Sequence, residues 1–335
     1  MTGAALYFDG DRTVERRAVD VGEPEDDELL IGASVSAISP GTELLVYRGD
    51  VPDSLSVDPT IDALDGQFDF PLQYGYALVG TVEGIGDDVD GWSVGDRAFA
   101  FAPHQTRVTV GADKAVPLPP SLPSAHAGLL PTVETAVNLV LDGEPAVGER
   151  VVVFGAGPVG LATAHVLAGF PLDELVVVEP IERRRELARS VGADTVIEPA
   201  VAGSHFEGRC PPGADLAIEL SGRPETLDDA IDAVGYGGRI VLGSWYGTKR
   251  APVNLGGAFH RNDVTIQASQ VSTVAPERRG RWSADRRLDV AIDRLLGLDA
   301  DPLITHRIPF DRAEEAYRLL DDETDALQVL LTYDR

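Results

Sequence analysis

The stretch Gly155-Ala156-Gly157-Pro158-Val159-Gly160 constrains this chain more than any other. It follows an unbroken apolar run, Val151-Val152-Val153-Phe154, and opens a helical pattern with Pro158 in its first turn, where proline sacrifices no hydrogen bond. A G-x-G-x-x-G turn between strand and helix has a mechanical reading. Gly155 permits the tight turn, Gly157 has no side chain to block a pyrophosphate, and Gly160 lets the helix lie close to the sheet. The helix start, with Val159 in it, offers free N–H groups and partial positive charge to phosphates. Glu179 closes the next strand about twenty residues on, where an acid accepts from the ribose hydroxyls and disfavours a 2′-phosphate. NAD is therefore the expected cofactor. NADP is the alternative, because Arg183, Arg184 and Arg185 offer a partner for a 2′-phosphate.

The rhythm around this loop is that of a doubly wound parallel sheet. Strand patterns at Val151–Phe154, Leu175–Glu179, Leu216–Leu220 and Arg239–Gly243 alternate with helical patterns near 158–168, 181–191 and 224–234. The first 120 residues read differently, as short strands separated by Gly, Pro and Asp, among them Leu29–Val35, Ala77–Val82 and Arg107–Val110. Such punctuation predicts a small barrel or sandwich. A polar stretch from Gly49 to Gln67 is expected to be a long surface loop or lid. A length of 335 residues suits two domains.

Charge excludes several partners. Asp and Glu number 55 against 28 Lys and Arg, a formal net charge of -27, and Lys114 and Lys249 are the only lysines. Such a surface repels nucleic acid and anionic membranes. It suits a salt-rich cytoplasm, where screening relieves self-repulsion, so a halophilic cytoplasmic protein is expected. No apolar run is long enough to span a bilayer. Cys210 is the only cysteine, so an internal disulfide and a thiolate-rich zinc site are both excluded.

A barrel-like first part, a mid-chain dinucleotide unit and a returning tail resemble the medium-chain dehydrogenase/reductase superfamily over nearly the whole chain. The carriers are Ser39-Pro40-Gly41-Thr42-Glu43, Gly75-Tyr76-Ala77-Leu78-Val79-Gly80, Val94-Gly95-Asp96-Arg97 and the Gly155–Gly160 loop. The resemblance implies an α/β fold: a GroES-like β-barrel catalytic domain, residues 1–131 with 270–335, and a Rossmann domain, residues 132–269. It implies an NAD(P)-dependent alcohol dehydrogenase-like oxidoreductase that assembles as a dimer or tetramer and acts on a small molecule. At the positions where the family's zinc enzymes carry Cys, His and Cys or Glu, this chain has Ser39-Pro40, Tyr76-Ala77 and Leu130-Pro131. Zinc needs three protein ligands, so a zinc-free branch is expected. A rewired set of Glu43, His104 and Glu134 is the alternative.

Without zinc, a side chain must exchange the alcohol proton. Tyr76 takes the lost His position, and a phenol can donate to a developing alkoxide. Thr42 matches the family's proton-relaying hydroxyl. Glu134 and Thr135 fall where the family flanks the nicotinamide, with Glu134 a candidate base. His104 follows Phe101-Ala102-Pro103 near the resembled pocket. Gly243, Ser244 and Trp245, with Tyr246, follow a strand whose end reaches the nicotinamide in the family. Arg278, Arg279, Arg281, Arg286 and Arg287 cluster with Trp282, so an anionic substrate is one expectation and a salt-bridge network the other. Two other functional classes stay open: reduction of a conjugated double bond, and a non-catalytic dinucleotide sensor.

Overall fold

A computed structural model describes residues 2–52, 54–58, 61, 64, 66–323 and 325–334. The chain forms two compact units, Met1–Pro131 with Leu303–Arg335, and Thr132–Pro302. The chain thus returns to the first unit at residue 303, against the 270 expected from sequence. Residues 270–302, with the whole arginine cluster, stay in the second unit.

In the first unit the chain runs β1 (Thr2–Gly10), β2 (Thr13–Asp20), β3 (Glu28–Ile38), α1 (Thr42–Arg48), β4 (Leu72–Gln73), β5 (Leu78–Ile85), β6 (Arg97–Ala100), β7 (Arg107–Gly111), β8 (Val116–Pro117) and α2 (Ser124–Ala127). Among the described residues β2, β1 and β4 make one sheet; a second has the order β15-β16-β3-β5-β6-β8, with β7 also paired to β3. The last two strands, β15 (Ile304–Pro309) and β16 (Gln328–Thr332), return from the far end of the chain, with α9 (Ala313–Asp322) between them. Only β15 and β16 pair in parallel; the other pairings in this unit are antiparallel. A bridge between Ala5 and Gln105 joins the two sheets. Leu29, Ile31, Leu78, Val82, Ala98 and Val108 fill the space between strands, the alternating inward faces of β3 and β5 supplying most of them. The lid expected at Gly49–Gln67 lies partly outside the described residues; in the described part a bridge joins Ser56 to Gln67.

The second unit opens with α3 (Leu130–Gly143), followed by β9 (Arg150–Phe154), α4 (Pro158–Leu167), β10 (Glu174–Val178), α5 (Glu182–Ser190), β11 (Thr195–Ile197), α6 (Ala202–His205), β12 (Ala214–Glu219), α7 (Thr226–Ala233), β13 (Val234–Leu242), β14 (Thr265–Ala268) and α8 (Ala284–Leu296). The sheet order is β11-β10-β9-β12-β13-β14, all parallel. Every residue of β9 and β10 is buried, as the continuous Val-rich runs require of strands covered on both faces. Strand order reverses between β10 and β12 on either side of β9, so the glycine loop leaves β9 at the topological switch point, where open α/β sheets bind ligands. Among the described residues no helix is long and apolar enough to cross a membrane.

Candidate active site

The glycine loop has the geometry its sequence demands. Gly155 sits at φ +99°, and a Cβ there would lie 2.7 Å from the carbonyl oxygen of Leu220. A Cβ on Gly160 would lie 2.0 Å from the carbonyl oxygen of Gly155, so helix α4 can leave the loop this closely only without a side chain. Gly157 differs: nothing stands within 4 Å of a Cβ placed on it. That open space, beside the start of a helix with Pro158 in its first turn, fits a pyrophosphate on backbone N–H groups.

Glu179 follows β10 and is almost wholly buried. One carboxylate oxygen accepts from the Ala156 N–H at 2.7 Å and the other from the Ile181 N–H at 3.0 Å. The acid expected to meet the ribose therefore also holds the glycine loop in place, and each oxygen keeps a second lone pair for a ribose hydroxyl. Of the three arginines weighed as 2′-phosphate partners, Arg185 is committed elsewhere. It is buried and donates to the carbonyls of Glu179 and Pro180 and to the carboxylates of Glu182 and Glu198. Arg183 is exposed and Arg184 half-buried on the same helix.

Sequence reasoning missed a second buried acid. Glu219 ends β12, on the other side of β9 from Glu179, and has no solvent exposure. It accepts from the Ser221 N–H at 2.7 Å, from the Ser221 hydroxyl, and from the Tyr246 hydroxyl at 2.7 Å. Burial and the Glu219 charge push the Tyr246 phenol far above its ordinary range, so Tyr246 is a clasp on Glu219. Gly243 and Ser244 are fixed by the same strand end: both N–H groups reach the Glu219 carbonyl, and the Ser244 hydroxyl accepts from the Gly222 N–H at 2.9 Å. A Cβ on Gly243 would strike Leu220 and Leu139. Trp245 is half-buried beside them. The missed signal was legible, since an acid closing an apolar strand next to the glycine loop is the pattern that singled out Glu179.

Glu134 stands on α3, with Thr135 half-buried beside it. Its carboxylate is not poised as a base. Arg287 of α8 holds it at 2.9 and 3.0 Å, and the side chains of both residues are less than a tenth exposed. Burial nonetheless keeps the Glu134 proton above the ordinary carboxylate range, against the Arg287 charge. Arg287 also donates to the Asn138 side chain at 2.8 Å and to the Val271 carbonyl. This corrects the expectation of an anion-attracting arginine cluster. Arg287 is buried in a structural pair, Arg278 binds Glu144 at 2.7 Å, and Arg286 lies 4.3 Å from the Trp282 ring centre. The salt-bridge alternative describes Arg278 and Arg287, while Arg279 and Arg286 donate to the carbonyls of Val274 and Arg281.

In the first unit, Ser39 ends the turn after β3 and exchanges two hydrogen bonds with α1: the Glu43 N–H reaches the Ser39 carbonyl, and the Ser39 N–H reaches the Glu43 carboxylate at 2.8 Å. The other oxygen of Glu43 meets His104 Nε2 at 2.9 Å and the Tyr317 hydroxyl. His104 Nδ1 meets the Ser36 hydroxyl at 2.6 Å, and that hydroxyl meets Tyr333 at 2.8 Å. Glu43 and His104 are both fully buried with their polar atoms engaged, so neither is a free metal ligand, and His104 does not reach solvent as a catalytic group. Glu134, the third member of the rewired set, is taken by Arg287. Among the described residues no group of three His, Cys, Asp or Glu side chains is arranged to hold a metal. The side chains present do not fit a zinc ion.

Tyr76 is half-buried, with the Ser39 and Thr42 side chains bearing on its phenol. Burial, then the Glu43 charge, push its phenol up to about 12 against the pull of those two hydroxyls.

Comparison with known proteins is consistent with this frame. The zinc-binding dehydrogenase family pattern matches residues 158–287. L-Threonine 3-dehydrogenase of Pyrococcus abyssi is 29% identical over 90% of both chains, and that of Aeromonas hydrophila 27% identical over 94% of this chain and 95% of its own. Over nearly its whole length the chain is thus similar to alcohol dehydrogenase-like, medium-chain dehydrogenases. Among solved structures, 2R,3R-butanediol dehydrogenase from Bacillus subtilis superposes with a TM-score of 0.80 at 19% identity, covering 99% of this chain and 100% of that one. An Escherichia coli oxidoreductase of unknown specificity gives 0.81 at 18%, over 100% of both. These likenesses establish the fold. The zinc-binding dehydrogenase match falls in the second unit, and the positions bearing Ser39, Pro40, Tyr76 and Ala77 lie outside it.

Proposed function

We propose that this chain is an NAD(P)-dependent dehydrogenase of a small alcohol or polyol, with NAD preferred, and that Tyr76 rather than a metal serves the substrate oxygen. The observation that carries this is the setting of Tyr76, a half-buried phenol on which the Ser39 and Thr42 side chains bear. Ser39 and Thr42 ease ionisation of the phenol, which is the effect of groups that donate to its oxygen. The phenol keeps its own proton to give to a carbonyl oxygen as the hydride reaches the carbonyl carbon, and only the phenolate so formed takes that proton back from an alcohol in the reverse direction. With an ionisation near 12, Tyr76 is a neutral donor at physiological pH.

The dinucleotide, when bound, supplies or accepts the hydride. The residues that would hold it are the N–H groups from Gly155 to Gly160 for the pyrophosphate and Glu179 for the ribose, with Gly243 and Ser244 at the end of β13. Relatives and structural neighbours named for L-threonine, 2R,3R-butanediol and galactitol 1-phosphate all act on hydroxyl-bearing compounds, which supports an alcohol as substrate. The arginine cluster lends no support to an anionic one, because its buried members are already paired.

The test is a panel of alcohols, polyols, ketones and enones followed by NADH and NADPH absorbance, with bound zinc measured in the same sample. Turnover of a secondary alcohol by zinc-free protein, cut by at least a hundredfold in Tyr76→Phe, is expected, the lower end of what general acid–base catalysis contributes. Stoichiometric zinc essential for turnover, or full kcat in Tyr76→Phe, refutes the reading.

A further inference from the structure

Glu43 and His104 take no part in the reaction just described, yet they form the most completely bonded buried cluster of the first unit. His104 joins β1 through the Leu6 N–H, and its own N–H points to the Tyr74 carbonyl. Its imidazole packs where the residue after Tyr74 would carry a side chain: a Cβ on Gly75, at φ +104°, would lie 2.5 Å from both Cδ2 and Nε2 of His104. The ring therefore braces the backbone that delivers Tyr76. On its other side the same ring bonds Glu43, which holds the Ser39 N–H, and the Ser39 and Thr42 side chains bear on the Tyr76 phenol. The contacts run from Ser39 through Glu43 and His104 to Gly75, the residue before Tyr76.

We propose that Glu43 and His104 are a positioning pair for Tyr76, bracing its backbone through Gly75 and holding the Ser39–Thr42 turn that bears on its phenol. The proposal rests on Tyr76 being the group that serves the substrate oxygen. Ser36 and Tyr333 brace His104 from the Nδ1 side, and Tyr317 braces Glu43. A network satisfied at every member holds one arrangement far more tightly than a single bond does. The charged and titratable groups that bear on the Tyr76 phenol are Glu43 and Asp58, with Tyr74 as its aromatic neighbour at 6.4 Å.

The test reads Tyr76 directly and needs no substrate. Protein labelled with 13C at tyrosine Cζ gives signals from eight tyrosines, and Tyr76→Phe identifies the one that matters. In the wild type the Tyr76 signal is expected not to titrate up to about pH 10, given its ionisation near 12. In Glu43→Gln it is expected to move at neutral pH and to begin titrating by about pH 10, a tenfold or greater rise in the phenolate fraction. NADH binding and a cooperative melt certify that the variant is folded. Ser36→Ala, which removes the hydroxyl between His104 Nδ1 and Tyr333 and leaves Glu43 in place, is the milder companion, expected to shift the same signal less. An unmoved Tyr76 signal in either folded variant overturns the proposal. Undiminished turnover in Tyr76→Phe sinks the donor reading instead, and does so without changing what the labelled tyrosine reports.

Discussion

Replacing Arg287 with methionine tests the assignment of the α3–α8 pair as structural. The substitution removes two contacts to Glu134, one to Asn138 and one to the Val271 carbonyl, and leaves a buried carboxylate with no cation. Breaking a buried pair from one side costs about 3–5 kcal/mol. For a unit of the size of residues 132–302, each kcal/mol lowers the melting temperature by about 2–4 °C, so a drop of roughly 6–20 °C is expected at pH 7–8. The loss depends on pH in a defined direction. Glu134 already holds its proton above the ordinary value, and without Arg287 it holds it more tightly. The folded variant then binds more protons than the unfolded chain, so its stability falls as pH rises from about 4.5 through the raised value. The deficit is therefore largest at pH 8 and shrinks toward pH 5. Glu134→Leu combined with Arg287→Met removes both charges and is expected to recover most of the loss. Differential scanning fluorimetry of the three proteins across pH 5–8 checks this. A single variant within about 2 °C of wild type, or a double variant no better than the single, refutes the structural reading and returns Glu134 to the candidate bases.

Other outcomes follow from the same geometry. Gly157→Ala, with open space around its new Cβ, is expected to melt like wild type and to bind NADH at least tenfold more weakly, measured by fluorescence titration; Gly160→Ala, which meets the Gly155 carbonyl, is expected to lose thermal stability as well. Gly75→Ala places a Cβ against His104 at positive φ and is expected to cost about 1–3 kcal/mol or more by denaturant titration. Glu149 is held below its ordinary range by the paired hydrogen bonds it accepts from Arg239; Glu149→Gln is expected to cost about 1–2 kcal/mol at pH 7, and the difference from wild type should begin to shrink as pH falls below about 4.5, where the unfolded chain protonates, and vanish only below the lowered folded value. With a net charge of -27, the melting temperature is expected to climb as KCl rises from about 0.1 to 1 M and the Debye length contracts from about 10 to 3 Å; a flat or falling curve contradicts the salt-adapted reading.

Local patterns were legible in the sequence and long-range ones were not. Gly155–Gly160 and Glu179 announce themselves because turn chemistry, strand and helix lie side by side in the chain. The Ser39–Glu43 turn was visible as a motif. The bond from Glu43 to His104 was not, because β5, β6 and the turns between them must fold before the two meet. The arginine run misled for the same reason. Charge counted along the chain takes no account of Glu134 and Glu144, which come from α3 and the residue just beyond it and neutralise Arg287 and Arg278 in space. The first hairpin, β1 with β2, went unread because half of its residues are polar and only the inward Ala5, Leu6, Phe8 and Val14 reveal its buried face.

Glu179 carries a consequence for anyone wishing to retool this scaffold. In a Rossmann site whose acid touches only ribose, exchanging that acid for a small neutral residue is a clean route to the other dinucleotide. Here the same carboxylate ties down Ala156 and Ile181. A substitution that makes room for a 2′-phosphate also orphans two backbone donors and loosens the turn that must grip the pyrophosphate. Cofactor exchange in this lineage is therefore a two-step path, in which a replacement tether for the loop has to arrive before, or together with, the loss of the acid.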